Sequence, residues 1–575
     1  MTDSSARPRP EGGLARFRQG TGGKGWFAGA SLVAVLVVAP VAALAIIAAE
    51  GSGDLWPHLI GNVIPVAFRT TFTLLLGVGI LAIVIGTGMA WLVTAYDFPG
   101  RRILDWALLL PLAVPTYIVA YAYLDVLHPI GPVQTTLRAL LGLERPGDLW
   151  FPEIRSMTGC ILLFALVLYP YVYLSTRALF LMQAATLVEA ARTLGAGRRL
   201  VFFRVALPLA RPAIAIGTSL ALMEALNDVG ASQFLGVRTL TVSIYATWIN
   251  RSNLPGAAQI ALMMLVIVVA LILIERFARR RQQFSVLSQK PQAMVPRRLE
   301  GAAGWSACLL GLLPIIFGFL IPASYLVSEA LKRIRFAGIA PSIIGNTINT
   351  LTISVIATIV TLLLGLTVAY AARLNRSTAG SVLIRVASLG YALPGTVLAI
   401  GLLMPLSTID NFIANTAREW FGISTGLLLT SSGVALIYAY TVRFLAISVG
   451  GIEAGFEKIP RTFDHSARTL GRTATGTLGR IHLPLLRPAL GAAALLVFVD
   501  CMKELPATLL LRPLNFETLA TQLFAEASRG TYEDGAVAAL AIVLFGLLPV
   551  ILLARLARSA LTSGGHALTA TDGYI

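Results

Sequence analysis

Four carboxylates sit where a bilayer-crossing chain should tolerate them least. Glu224 and Asp228 lie four residues apart in one apolar stretch, and Asp500 and Glu504 lie four apart in another. That spacing puts each pair on one helix face. A charged carboxylate at the bilayer centre costs about 2.5–3.5 kcal/mol on insertion scales, so these groups must face a pore, a partner charge or an aqueous helix end. Carboxylate oxygens suit hard cations, and one reading is a lined cation pathway. The other is mechanical: the acids cap or pin helices broken near Gly230 and Pro506, or pair with Lys503. Tight coordination would oppose release of a cargo, and no metal site is assigned.

The second chemistry-bearing pattern is a basic, glycine-punctuated loop, EAARTLGAGRRLVFFRVALP, from Glu189 to Pro208. It returns without a gap as HSARTLGRTATGTLGRIHLP, His465 to Pro484. R-T-L-G is identical in Arg192–Gly195 and Arg468–Gly471, and both copies run on into Arg-Pro, Arg211-Pro212 and Arg487-Pro488. The local pattern predicts short helix, turn, short helix. Gly195 and Gly197 allow the positive φ that ends the first piece. Ala190 and Ala191 leave a small-residue face for close approach of another surface. Phe202 and Phe203 offer apolar anchors, and Arg192, Arg198, Arg199 and Arg204 supply charge. Pro208 and Pro212 restart a helix where a missing N–H costs little. The two acid pairs fall in the same gap-free register as the two loops.

The elements that must position these residues are membrane helices. The 575 residues are 56% hydrophobic and only 13% charged, with mean hydropathy +0.78; a soluble domain is about a quarter charged. The net charge of +17 is not a nucleic-acid signature, because the arginines cluster in short loops beside apolar spans, as cytoplasmic loops require. Cys160, Cys308 and Cys501 have no metal-ligand spacing. Twelve spans are expected, near 27–49, 68–95, 104–127, 156–180, 209–235, 257–276, 305–328, 347–373, 382–406, 427–450, 485–511 and 536–557. The expected fold is an all-α polytopic membrane protein, two six-helix bundles in parallel repeat about a pseudo-twofold axis along the membrane normal. Thr71–Ala90 aligns with Thr350–Ala369, Pro115 with Pro394, and Thr239-Leu240 with Thr518-Leu519. The expected divisions are a disordered tail at 1–26, a first membrane domain at 27–276, a basic cytoplasmic linker at 277–304, a second membrane domain at 305–560 and a tail at 561–575. Phe27–Ala49 reads as an uncleaved first helix. Loop charge places both termini in the cytoplasm, although Lys332, Arg333 and Arg335 then fall on the outer side.

E-A-A, three residues, G, nine residues, I/V-x-L-P resembles the EAA loop of importer-type ABC transporter permeases. Glu189, Ala190, Ala191, Gly195, Val205, Leu207 and Pro208 match it at every spacing. The second copy retains Ala467, Arg468, Gly471, Ile481, Leu483 and Pro484, but carries His465 where Glu is expected and Ser466 for an Ala. The resemblance implies a permease subunit in a bacterial inner membrane. It implies two copies of a cytoplasmic ATPase docked on the loops and one periplasmic binding protein above. ATP and Mg2+ would sit on the ATPase, with no cofactor in this chain. The stretches Met223–Tyr245 and Asp500–Phe524 are similar to those of ferric-iron permeases; related fused permeases carry thiamine and other small solutes. A rival class is a twelve-helix secondary carrier, whose D-R-x-G-R-R loop Asp97–Arg102 partly resembles; Pro99 and the missing glycine favour a plain cytoplasmic turn. No G-x-x-x-x-G-K-[ST], His-Glu-x-x-His or G-x-S-x-G motif is present, so no ATPase or hydrolase chemistry is expected of the chain itself.

Overall fold

A computed structural model describes residues 21–182, 191, 193–280, 296–375 and 378–569. The spans are apolar on all sides, as lipid-facing helices must be, and Leu32, Phe72, Val84, Leu309 and Ile359 point outward. The first half contributes α1 (Thr21–Ala49), α2 (Ile64–Ala95), α3 (Thr116–Val126), α4 (Met157–Met182), α5 (Leu207–Asn227) and α6 (Leu254–Arg280). The second contributes α7 (Gly301–Ala337), α8 (Pro341–Leu374), α9 (Gly395–Phe421), α10 (Val434–Glu457), α11 (Leu483–Met502) and α12 (Tyr532–Thr569). Among the described residues, eleven helices are long and apolar enough to cross a membrane. The twelfth is a pair, Arg101–Ala113 and Thr116–Val126, bent by 89°. The bend falls at Val114-Pro115, where proline removes a backbone donor and forbids the helical conformation before it.

Four expected spans change shape. The span placed at 104–127 is this bent pair. The one placed at 209–235 breaks after Asn227 and restarts as Gly230–Phe234. The one placed at 382–406 breaks at Leu393-Pro394, between Thr378–Ala387 and Gly395–Phe421. The one placed at 485–511 breaks after Met502 and restarts as Pro506–Leu511.

The repeat is visible in matched contacts. Leu240 N donates to Thr71 Oγ1 at 2.9 Å, and Leu519 N donates to Thr350 Oγ1 at 2.9 Å. Thr239 and Thr518 each cap the helix that follows. Gly86 lets α2 touch α4: a Cβ there would lie 2.7 Å from Val172 Cβ. Gly365 does the same for α8 and α10, where a Cβ would lie 2.2 Å from Ser448 Oγ.

The halves exchange their first helices. α1 packs on α8 and α9 of the other half as well as on α6 of its own, and α7 packs on α3 of the other half as well as on α12 of its own. Prolines make the exchange specific. Pro40 cannot bond the carbonyl of Leu36 four residues back; Tyr438 Oη of the other half donates to that carbonyl at 2.8 Å. In α7, the π-turn Ile316–Leu320 precedes Pro322 and frees the Phe317 carbonyl, which accepts from Tyr123 Oη at 2.6 Å. Buried carbonyls in lipid must find donors, so each junction has a built-in partner.

Two of the three cations that loop charge placed on the outer side have partners. Lys332 Nζ lies 2.7 Å from Glu329 Oε1, and Arg333 Nε 2.5 Å from Asp534 Oδ1 at the start of α12. The second pair ties α7 to α12 at the end of α7 remote from the linker, and the first lies within α7.

Candidate functional site: an inter-half cavity and two basic loops

The broken spans meet at a cavity of about 100 Å³ between the halves, and all four acids line it. The breaks explain two of them. Asp228 leaves helical conformation at ψ 114, and its Oδ1 accepts from Ala231 N at 2.7 Å. Its other oxygen accepts from Thr116 Oγ1. Glu504 Oε1 accepts from Ala507 N at 3.0 Å, and Oε2 from Thr508 N at 3.1 Å and Thr508 Oγ1 at 2.8 Å. Both carboxylates thus satisfy orphan donors at the start of the short helices that follow. Glu224 and Asp500 stand one helical turn earlier, half-buried, on the cavity wall. Asp500 Oδ1 pairs with Lys503 Nζ at 2.8 Å.

Two residues central to this site went unnoticed in the sequence. Arg443 of α10 is 8% exposed; its Nη1 donates to Glu504 Oε1 at 2.9 Å and to Asn227 Oδ1 at 3.1 Å. Asn227 Oδ1 also accepts from Gly395 N at 2.7 Å. One amide of the first half is therefore held by two donors of the second. An arginine inside Tyr440–Leu445 was the available signal, since an intramembrane ionisable group demands a partner. Gly230 completes the contact: a Cβ there would lie 2.7 Å from Tyr117 Cβ and 2.9 Å from Leu505 Cδ2. Among the described residues, no three His, Cys, Asp or Glu side chains group as metal ligands.

The loops share a second geometry. Gly195 and Gly471 both take positive φ, +83° and +73°. Gly197 does not, so one of the two glycines proposed for the turn makes it. Ala196 N donates to Ala191 O at 3.0 Å and Arg472 N to Ala467 O at 2.9 Å, closing the same turn. Ala467 is buried and Ala191 half-buried against the bundle, so these small residues face inward rather than outward. The outward residues are Leu194 and Leu470, 88% and 79% exposed at matched tips. His465 and Arg468 are exposed. Both loops end in a π-turn, Val201–Ala206 and Leu478–His482, leading into Leu207-Pro208 and Leu483-Pro484. Phe202 packs on Trp91, with ring centroids 5.3 Å apart. Glu189, Ala190 and Arg192 lie outside the described residues.

Residues 82–283 match the family described as binding-protein-dependent transport system inner membrane component. Over 203 residues the chain is 33% identical to the molybdenum transport system permease protein ModB of Escherichia coli K12, 34% of this chain and 84% of that protein. The chain belongs to this permease family. Over 492 residues the permease is 25% identical to the Fe(3+)-transport system permease protein FbpB 2 of Haemophilus influenzae, 85% of this chain and 89% of that protein. Alignment over nearly both full lengths marks it as a fused double permease of a binding-protein-dependent ABC transporter. It is an inner-membrane component with multiple spans.

Proposed function

We propose that this permease carries ferric iron, free or as an anion complex, across the bacterial inner membrane, driven by ATP hydrolysis on separate subunits. The observation that carries the reading is the cavity between the halves. Its wall holds four carboxylates, Glu224, Asp228, Asp500 and Glu504, against two cationic side chains, Arg443 and Lys503. The excess is negative and made of hard oxygen donors, which suits a hard cation. The full-length likeness to an Fe(3+)-transport permease supports the same substrate; thiamine, molybdenum and other small solutes are the competing cargoes. Glu224 and Asp500 would meet the ion, while Asp228 and Glu504 shape the helix breaks.

Coupling would run through the two loops. Each offers an exposed leucine beside a left-handed glycine, Leu194-Gly195 and Leu470-Gly471, an apolar knob with little around it. In this reading two ATPase subunits, holding ATP and Mg2+, receive these knobs and one periplasmic protein delivers the cargo. Nucleotide must bind one arrangement of the helices better than the other for this to do work. Both termini and the 277–304 linker lie on the ATPase side, and the domains run 27–276 and 305–560.

Radiolabelled ferric uptake in iron-starved cells lacking the gene, with and without its restoration, tests the substrate. Excess unlabelled thiamine and molybdate run as competitors. Restoration should recover uptake that neither competitor reduces. Uptake that never depended on the gene, in a strain without other iron importers, would contradict the iron assignment. A stoichiometric ATPase should copurify with the chain; its absence would favour a secondary carrier.

A further inference from the structure

The second loop is fastened to its own bundle by a half-buried network around one ion pair. Asp464 sits on the short helix Thr462–Thr469, next to the His465 that occupies the expected Glu position. Its side chain turns inward. Arg373, near the end of α8, places Nη2 2.7 Å and Nε 3.1 Å from Asp464 Oδ2. The same guanidinium donates to the carbonyls of Phe456 at 2.7 Å and Ile459 at 3.1 Å, at the end of α10 and just beyond it. On the other side, Nε2 of the wholly buried His482 lies 2.9 Å from Asp464 Oδ1. His482 belongs to the π-turn that leads into α11.

Aromatic rings flank this network. Tyr370 and Phe456 meet the His482 ring at centroid distances of 5.6 and 5.4 Å, and Arg373 lies over Phe456 at 5.0 Å. Tyr370 Oη donates to Ala474 O at 2.6 Å, holding the outgoing limb of the loop. Trp26, from the exchanged α1, packs edge-on against Tyr370 and donates to Thr475 Oγ1 at 3.3 Å. Through Arg373 the carboxylate joins the loop to α8 and to the end of α10 by charge-assisted bonds, and the His482 ring of the turn before α11 stands against its other oxygen. In the matched register the first half has Thr94, Val188 and Ala206 where the second has Arg373, Asp464 and His482. It cannot build this network.

We propose that Asp464 is the positioning residue of the second coupling loop. The copy that lacks the expected Glu transmits its displacement through an internal Asp464–Arg373–His482 clamp, so that loop and bundle move as one body. This rests on the ATPase-coupling reading above.

The test uses the intact complex, purified through a tag on this chain and reconstituted with its binding protein. D464N, D464E and H482A, the last restoring the first half's alanine, are compared with the natural chain. Bound ATPase and cargo moved per ATP hydrolysed are read for each. D464N should keep its full complement of ATPase while cargo per ATP falls about tenfold, within the range of ordinary coupling energies. D464E should recover most of the loss, and H482A should shift the ratio less, in the same direction. A D464N complex with the natural ratio overturns the clamp. If D464N is not recovered from membranes, R373K, which keeps the charge but loses the fork, reads the same ratio; an unchanged value overturns the proposal equally. Failure of any ATPase to copurify with the natural chain would instead remove the coupling reading itself, whatever the variants do.

Discussion

The two halves of the permease solve one problem with different chemistry. Each must break a helix inside the membrane and place a carboxylate at the break. The first half satisfies the orphan donors with Asp228 and supports that acid with the Thr116 hydroxyl, a neutral side chain. The second uses Glu504 with Thr508 and adds a full countercharge, Arg443. In the shared register Arg443 and Phe444 stand where the first half has Val167 and Leu168, and all four line the cavity. Lys503 likewise replaces Asn227. The cations of the site thus come from one half, and Asn227 is the amide through which the other half reaches them. A duplicated bundle has kept its helix breaks and its acids, while countercharge has become the property of one copy.

Substitutions can break this asymmetry in graded steps. The largest effect is expected for R443V, which copies the first half's residue. It leaves Glu504 buried without its countercharge, a change that costs about 3–5 kcal/mol, and should lower the denaturation midpoint in detergent strongly. E504Q in the R443V background should regain part of that loss; no regain would mean that Arg443 serves packing rather than charge. Next is T116V, which removes a hydroxyl donor to a carboxylate, worth about 1.5–3 kcal/mol. The same midpoint should fall, and less than for R443V. Equal losses would erase the distinction between the halves. The smallest effect is expected for Y438F, which deletes the donor to the Leu36 carbonyl freed by Pro40. A single neutral hydrogen bond contributes about 1 kcal/mol. The loss should show as faster trypsin cleavage of the α1 segment, with transport intact.

Much of this was legible in the sequence, for identifiable reasons. Membrane helices announce themselves by hydropathy, and the gap-free repeat of R-T-L-G and of the acid pairs gave the two-half organisation. Spacing of four put Glu224 with Asp228 and Asp500 with Glu504, and the structure brings all four to one cavity. Composition could not say that the halves exchange their first helices, because α1 and α7 up to Val327 are apolar all round and carry no face that names a partner. The division of labour within each acid pair was also hidden: it depends on where the helix breaks, and an intact span through Asp228 satisfied the same hydropathy. Arg443 is visible as an arginine in an apolar run, but nothing in its spacing names Glu504 and Asn227 as its partners. Of the two alanines expected to leave a close-approach face, Ala190 lies outside the described residues and Ala191 is half-buried against the bundle, and Leu194 at the loop tip is the side chain that faces out.

The most direct test of the account is radiolabelled ferric uptake by the double variant E224Q/D500N, which removes the two cavity-wall charges that cap no helix. The account predicts a protein that inserts, retains its ATPase and loses uptake by about tenfold or more, as expected when charges stabilising a permeating cation are removed. Uptake at the natural rate with both charges gone would contradict the claim that these paired acids form the cation's path.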